Sequence, residues 1–142
     1  MLRPHELSVL QNAGRQTPHG QALRRHWLPV LAAADLAVPD GPPVPVRVLN
    51  ESLILFRDSA GRLGALDSYC PHEGASLKWG INAEGGLACF IHGWKFDVDG
   101  HRVDSGAIHM RPVRTRAYPI ATARDRVWVY LGDPDAAPTA PS

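Results

Sequence analysis

The most informative stretch of this chain runs from residue 70 to residue 93. It opens with Cys70-Pro71-His72-Glu73-Gly74 and closes with Cys89-Phe90-Ile91-His92-Gly93. These two segments hold both cysteines of the sequence, and in each of them a histidine and then a glycine follow the cysteine at short range. Thiolates and imidazoles are ligands that both iron and zinc accept, so the pattern predicts a metal site.

The mixture of ligands favours a Rieske [2Fe–2S] cluster, in which two cysteines bind one iron and two histidines bind the other. Because neutral imidazoles replace two thiolates, such clusters have reduction potentials of roughly −150 to +300 mV, against about −400 mV for plant-type ferredoxins. Pro71 restricts the backbone of the first segment, and Gly74 and Gly93 let the chain approach a cluster closely. We therefore expect two cluster-binding loops at the tips of neighbouring hairpins, and one-electron transfer as the chemistry.

Three other interpretations use the same residues. A tetrahedral zinc site also takes two cysteines and two histidines, although zinc fingers pair like ligands locally and each segment here mixes the two types. A Cys70–Cys89 disulfide would suit a small secreted domain, but residues 1–6 lack the apolar segment of a signal peptide. The third interpretation is that the cysteines are unrelated structural residues. Cluster binding is favoured over all three.

The surrounding residues resemble the Rieske signature of ring-hydroxylating oxygenases. That resemblance covers Cys70-Pro71-His72-Glu73-Gly74-Ala75-Ser76-Leu77, Cys89-Phe90-Ile91-His92-Gly93-Trp94-Lys95-Phe96-Asp97, and the outlying segments 25–30, 53–58, 118–119 and 127–132. The whole set is most similar to the N-terminal Rieske domain of the phthalate dioxygenase group, which includes O-demethylases. Trp94 is typical of the low-potential branch, since the high-potential Rieske proteins of cytochrome bc complexes carry a serine there and a further disulfide.

The resemblance also implies roles for residues and partners. It implies that four residues bind the cluster, with His92 as the ligand through which the electron leaves: Cys70, His72, Cys89 and His92. It implies a ferredoxin or a flavin-dependent reductase as the electron donor. The implied acceptor is a mononuclear non-haem iron oxygenase domain, which in that family lies in a neighbouring subunit, so a homo-oligomer is compatible with it.

Two positions depart from the family pattern. Glu73 stands where the family usually has arginine, and residues 105–110 replace a segment that usually contains proline. A carboxylate beside the cluster would favour the oxidised state and lower the reduction potential, whereas a solvent-facing Glu73 would be screened.

Composition limits the function further. A chain of 142 residues makes one domain with a proper core. The net charge of +1 gives no indication of a nucleic-acid surface. No apolar run approaches the roughly 20 residues needed to cross a bilayer. With both cysteines assigned to iron, a reducing cytoplasm is the expected location.

We predict a mainly β fold. A Rieske-type antiparallel β domain is expected at residues 41–132, after a short helical N-terminal extension at residues 1–40 and before a flexible C-terminal tail at residues 133–142. The spacing of leucines predicts helices at residues 5–13 and 20–27. Alternation and turn signals predict strands at residues 44–49, 53–57, 63–67, 87–91, 94–98, 117–122 and 127–131.

Two main functional hypotheses follow. In the first, the chain is the electron-transfer component of an aromatic ring-hydroxylating or O-demethylating oxygenase system whose mononuclear iron lies elsewhere. In the second, it is a stand-alone Rieske-type ferredoxin; residues 1–40 favour the first, because carrier ferredoxins usually begin near the first strand. A cluster-free interaction module is a third hypothesis. An iron site at His101, Asp104 and His109 has suitable ligand types, but a hairpin and loop flanked by glycines argue against it.

Overall fold

The computed structural model describes residues 18–70, 76–89, 93–104, 106 and 112–142. Within these residues the regular structure includes one short helix, α1, nine strands and three short 3₁₀ turns. In chain order these elements are α1 (Pro18–Leu23), β1 (Trp27–Ala32), a 3₁₀ turn (Ala33–Leu36), β2 (Val44–Val48), β3 (Glu51–Arg57), β4 (Leu63–Asp67), a 3₁₀ turn (Leu77–Trp79), β5 (Ile81–Ala83), β6 (Gly86–Ala88), β7 (Lys95–Phe96), β8 (Ile120–Ala123), β9 (Arg126–Tyr130) and a 3₁₀ turn (Pro134–Ala136).

The strands form three antiparallel sheets of three strands each, in the orders β2-β3-β4, β5-β6-β7 and β1-β9-β8. This confirms the prediction of a mainly antiparallel β fold with a short helix near its start. Two-residue turns join β2 to β3, β5 to β6 and β8 to β9, and both residues of each turn have positive φ. Such turns match the right-handed twist of the strands that they connect.

Two hydrophobic clusters lie on opposite faces of β3. Leu53 and Leu55 point into the first cluster, which also holds core residues of β9, whereas Ile54 and Phe56 point into the second. All four side chains are fully buried. Successive side chains of a strand point to opposite faces, so an uninterrupted apolar run is expected where both faces are covered. The second cluster contains both cysteines, so one face of β3 packs in the same cluster as the predicted metal site.

The strand predictions were accurate in the β2-β3-β4 sheet and less so elsewhere. Strands β2, β3, β4 and β9 begin and end within two residues of their predicted bounds. The strands beside the predicted ligand loops are shorter than expected, at Gly86–Ala88 and Lys95–Phe96. The predicted strand at residues 117–122 begins later, at Ile120.

The helix predicted at residues 20–27 is correct only in its first part, because α1 ends at Leu23 and Trp27 begins β1. Strand β1 lies at the edge of its sheet and pairs with β9. Pro29 is tolerated there because an edge strand has one side without ladder hydrogen bonds. The helix predicted at residues 5–13 lies outside the described residues, and the domain boundaries after residues 40 and 132 remain predictions.

The two ends of the described chain touch each other. The Trp27 indole N–H donates to the Pro138 carbonyl at 3.0 Å, and its ring packs against Tyr130 with 5.8 Å between centroids.

Within the described ranges, no helix combines the length and the apolar character needed to span a membrane.

Candidate metal centre

Cys89 directly follows β6, at the start of the loop that joins β6 to β7. Its backbone N–H donates to the Trp94 carbonyl at 2.7 Å, and the Gly93 N–H donates back to the Cys89 carbonyl at 3.0 Å. Gly93 has φ of +71°, a conformation that strongly favours glycine. The hydrogen bonds among Cys89, Gly93 and Trp94 thus close the base of the loop that joins β6 to β7. His92 belongs to residues 90–92, which lie outside the described residues.

Cys70 lies at the start of a second loop with a similarly closed base. Tyr69 and Ser76 form an antiparallel bridge, and the Leu77 N–H donates to the Ser68 carbonyl at 2.7 Å. Residues 71–75 between these positions lie outside the described residues, and they include His72 and Glu73. The structure thus fixes both ends of the loop that carries the first predicted imidazole.

The two thiols are brought into one apolar environment. Cys70 is 2% exposed and Cys89 is 4% exposed, both are free, and both belong to the second hydrophobic cluster. The disulfide interpretation therefore does not describe this structure. Both thiols are shielded from water and held at the bases of two adjacent loops. The two thiols thus fit the cysteine side of a [2Fe–2S] cluster, and the assignment of all four ligands remains a prediction.

A buried ion pair that the sequence pattern does not predict lies beside this environment. The Arg102 side chain is 6% exposed and that of Asp104 is 18% exposed. Arg102 donates from Nε to Asp104 Oδ1 at 2.7 Å and from Nη2 to Oδ2 at 2.9 Å. Asp104 Oδ1 also accepts the Lys95 backbone N–H at 3.1 Å. The third guanidinium nitrogen, Nη1, is buried and has no hydrogen-bond partner in the part of the chain that the structure describes.

Trp94 connects this ion pair to the second ligand loop. The Arg102 guanidinium lies 3.8 Å from the centre of the Trp94 ring, a distance at which a cation is attracted by the face of the ring. Trp94 packs against the cluster of residues that contains both thiols, and its carbonyl accepts the Cys89 N–H. Trp94 thus contacts the Arg102 guanidinium with its ring and the Cys89 backbone with its carbonyl.

The charges of the pair act on each other. The hydrogen bond to Asp104 is the largest influence that raises the pKa of Arg102, and the negative charge of a Cys70 thiolate also contributes. The hydrogen bond from Arg102 is the largest influence that lowers the pKa of Asp104, and the Lys95 N–H lowers it further. Burial opposes both effects. The guanidinium is also the more buried member of the pair, and its face stacks on Trp94.

The alternative iron site is not assembled in the described residues. Asp104 binds Arg102, whereas His101 lies 3.8 Å from Asp97 at an exposed turn. The ligand atoms of His101, Asp97 and Asp99 lie within 4.8 Å of one another, but His101 and Asp99 are exposed. His109 lies outside the described residues.

The aromatic residues near the ligand loops differ in exposure. Trp94 is partly buried against the thiols, whereas Tyr69 is 57% exposed and Trp79 is 65% exposed, with Lys78 Nζ 5.0 Å from the Trp79 ring centre. Trp94 therefore shields the thiols together with the fully buried Phe56 and Phe96 of the same cluster, whereas Trp79 lies at the surface.

The thiols and the loop bases can now be compared with those of known proteins. The family model of the Rieske [2Fe–2S] domain matches residues 26–118. The chain belongs to the Rieske [2Fe–2S] domain family. Its cofactor is a Rieske-type [2Fe–2S] cluster.

Among the relatives of this Rieske chain are oxygenase subunits. It is 43% identical to the phthalate 4,5-dioxygenase oxygenase subunit of Pseudomonas putida, over 97% of this chain and 33% of that protein. It is 32% identical to the 5,5'-dehydrodivanillate O-demethylase oxygenase subunit of Sphingobium sp. (strain NBRC 103272 / SYK-6), over 99% of this chain and 34% of that protein. The chain therefore spans about a third of the length of the curated relatives that it matches.

The fold is also found in solved structures. The crystal structure of dicamba monooxygenase with non-heme iron and dicamba superposes on 82% of this chain and 36% of that protein, with a TM-score of 0.73 and 30% identity. The predicted resemblance to the Rieske domain of phthalate dioxygenase-type oxygenases is confirmed.

Proposed function

We propose that this Rieske chain relays electrons from a reductase to a mononuclear non-haem iron site that lies outside residues 1–142. The observation that carries the proposal is the pair of free, buried thiols at the bases of two adjacent loops, in a chain of the Rieske family. The system served is an aromatic ring-hydroxylating or O-demethylating oxygenase, because the relatives described above are oxygenase subunits of those kinds.

We assign the cluster ligands by combining the described thiols with the sequence pattern. Cys70 and Cys89 would bind one iron, and His72 and His92 the other, with His92 as the electron exit. The closed bases of both loops support this assignment, since each places a cysteine at the start of a short segment that contains one of the histidines. The cluster supplies a one-electron carrier when it is bound.

The protein's own contribution is the surroundings of that carrier. Ile54, Phe56 and Leu87 are fully buried in the same cluster as the thiols, so water is excluded from the cysteine side. Reduction potentials of iron–sulfur sites depend on solvent exposure, net charge and hydrogen bonds to sulfur. Because water is excluded on the cysteine side of the cluster, we expect electrons to enter and leave on the side that carries the histidines.

The partners follow from the chemistry. A one-electron site needs a one-electron donor, which we assign to a ferredoxin or a flavin-dependent reductase. The acceptor is a mononuclear non-haem iron centre. Assembly of several subunits that each carry such a centre would bring one of them close to the cluster. The relatives that this chain matches are oxygenase subunits about three times its length, which favours an oxygenase component over a free-standing carrier.

The ligand assignment is tested on the 142-residue chain after anaerobic reconstitution with iron and sulfide. We expect a rhombic EPR signal after dithionite reduction, and its loss in His72→Ala and in His92→Ala. His101→Ala is the matched control, because His101 is exposed at a turn beside Asp97 and its removal should leave the signal intact. One zinc ion per chain with no iron or sulfide would contradict the cluster.

The relay is tested by exchanging residues 26–118 into the corresponding segment of the Pseudomonas putida oxygenase subunit. We expect the chimera to form product with the reductase of that system, at a rate that depends on His92. The stand-alone ferredoxin alternative predicts the opposite result: the separate chain, added as a soluble donor, would supply electrons to the intact subunit, and the chimera would be inactive.

A further inference from the structure

Arg102 occupies an unusual position for an arginine. It lies in the segment that follows β7, where it forms a bridge with Phe96, and its backbone N–H donates to the Val113 carbonyl at 3.0 Å. Phe96 and Val113 both pack in or against the cluster of residues that contains the thiols. The side chain is nine-tenths buried, so its positive charge acts through a medium that screens it much less than water does.

Two contacts hold the guanidinium in one orientation. Asp104 accepts two hydrogen bonds from it and is itself fixed by the Lys95 N–H. The face of the guanidinium stacks on Trp94 at 3.8 Å. Bidentate pairing and stacking together use the planar shape that distinguishes arginine from lysine. The charge therefore has a fixed place beside the ligand loop that carries Cys89.

The pair is neutral as a whole but not symmetric toward the thiols. Arg102 is the more buried member of the pair and stacks on Trp94, which packs against the cluster of residues that holds both thiols, whereas Asp104 is the more exposed member and accepts the Lys95 N–H. Nη1 remains a buried donor without a partner among the described residues. The cluster side thus faces the positive member of the pair.

We propose that Arg102 is a positioning residue that raises the reduction potential of the iron–sulfur cluster, with Asp104 and Trp94 holding its charge beside the cysteine loops. This inference rests on the proposed binding of the cluster by this chain. A nearby positive charge stabilises the reduced state, which carries one more electron, and a nearby negative charge destabilises it.

The experiment is a redox titration of the reconstituted chain with mediator dyes, followed by visible absorption and EPR. In Arg102→Met the charge is lost and the Asp104 carboxylate remains, so we expect the ratio of reduced to oxidised cluster at a fixed applied potential to fall about tenfold. A tenfold change corresponds to about 59 mV for one electron. In Asp104→Asn the guanidinium keeps its charge without its counter-charge, so the ratio should rise.

Two further variants separate charge from packing. Arg102→Lys keeps the charge and should retain most of the wild-type potential. Arg114→Met removes an exposed arginine whose strand neighbour is His101, and solvent screening should leave the potential unchanged.

The signs of the shifts decide the inference. If Arg102 had a purely structural role, the reduction potentials of Arg102→Met and Asp104→Asn would shift in the same direction or would both stay unchanged. Either result would overturn the proposal. If Arg102→Met fails to assemble a cluster, the upward shift expected of Asp104→Asn still tests it, and a downward or absent shift would refute it. A wild-type chain without the EPR signal would instead refute the proposed function.

Discussion

Asp104 shows how one side chain links stability to pH. Arg102 lowers the pKa of this carboxyl group, so the folded state binds its proton less tightly than the unfolded state does. By linkage, the stabilisation is complete above the ordinary carboxyl pKa of about 3.9 and is lost as the pH falls through the lower folded value. Arg102 remains protonated throughout and contributes no titration of its own.

We therefore predict that the difference in unfolding free energy between wild type and Asp104→Asn is largest above about pH 5 and shrinks below about pH 4. The measurement is urea unfolding followed by tryptophan fluorescence at several pH values. Asp35→Asn is the control, because it removes an exposed carboxylate from a 3₁₀ turn and no buried ion pair. A difference that stays constant over this pH range would mean that the ion pair does not stabilise the fold.

The Arg102–Asp104 pair also shows which side-chain contacts can be predicted from the sequence and which cannot. Residues two apart on an extended segment share a face, so their pairing was available from the sequence. The stacking on Trp94 was not, because it depends on how the segment at 101–104 lies against the β6–β7 hairpin. By contrast, the residues around Cys70 and Cys89 alone predict that the two cysteines share one site, and the structure places both thiols in one buried cluster; their role as ligands stays a prediction.

At the scale of elements, the β5–β6 turn contains a correctable strain. Glu84 has φ of +53° and precedes Gly85, which has φ of +87°. This turn type favours asparagine followed by glycine. The Glu84 side chain is 91% exposed and lies 3.9 Å from Lys95 Nζ, a contact of the kind that contributes little to stability.

Glu84→Asn is expected to raise the unfolding free energy by about 0.5–1 kcal/mol, because asparagine tolerates positive φ better than glutamate. Glu84→Gln is the control: it removes the same charge without the conformational advantage and should give no gain. The measurement is the urea midpoint at neutral pH. Equal midpoints for the asparagine and glutamine variants would show that the charge, and not the backbone, determines stability at this turn.

The accuracy of the element predictions followed from local signals. Strands β2, β3 and β4 combine alternation or a doubly buried apolar run with clear turns, and their bounds were nearly right. Strand β1 was missed because its leucine spacing also fits a helix and Pro29 discourages a strand assignment. Its strand conformation is imposed by pairing with β9, a contact made roughly a hundred residues later in the chain, which no local pattern records.

At the scale of the whole molecule, β3 divides the protein into two cores with different tasks. One core holds the β1-β9-β8 sheet against β3, and the other holds the thiols. Ile54 and Leu55 are adjacent, fully buried and similar in size, yet they belong to different cores. They offer a matched pair for separating general stability from retention of the cofactor.

We predict that Ile54→Ala and Leu55→Ala each lower the unfolding free energy by about 2–5 kcal/mol, the usual range for such truncations. Only Ile54→Ala should also speed the loss of the cluster under native conditions, because a cavity on that face loosens the support of Cys70 and Cys89. The bleaching rate of the visible absorption measures this loss. Ile54→Val and Leu55→Val replace the alanine variants where these give too little folded protein. Equal bleaching rates for the two positions at matched stability would show that the cores act as one unit, because the face of β3 on which the cavity opens would then have no bearing on the metal centre.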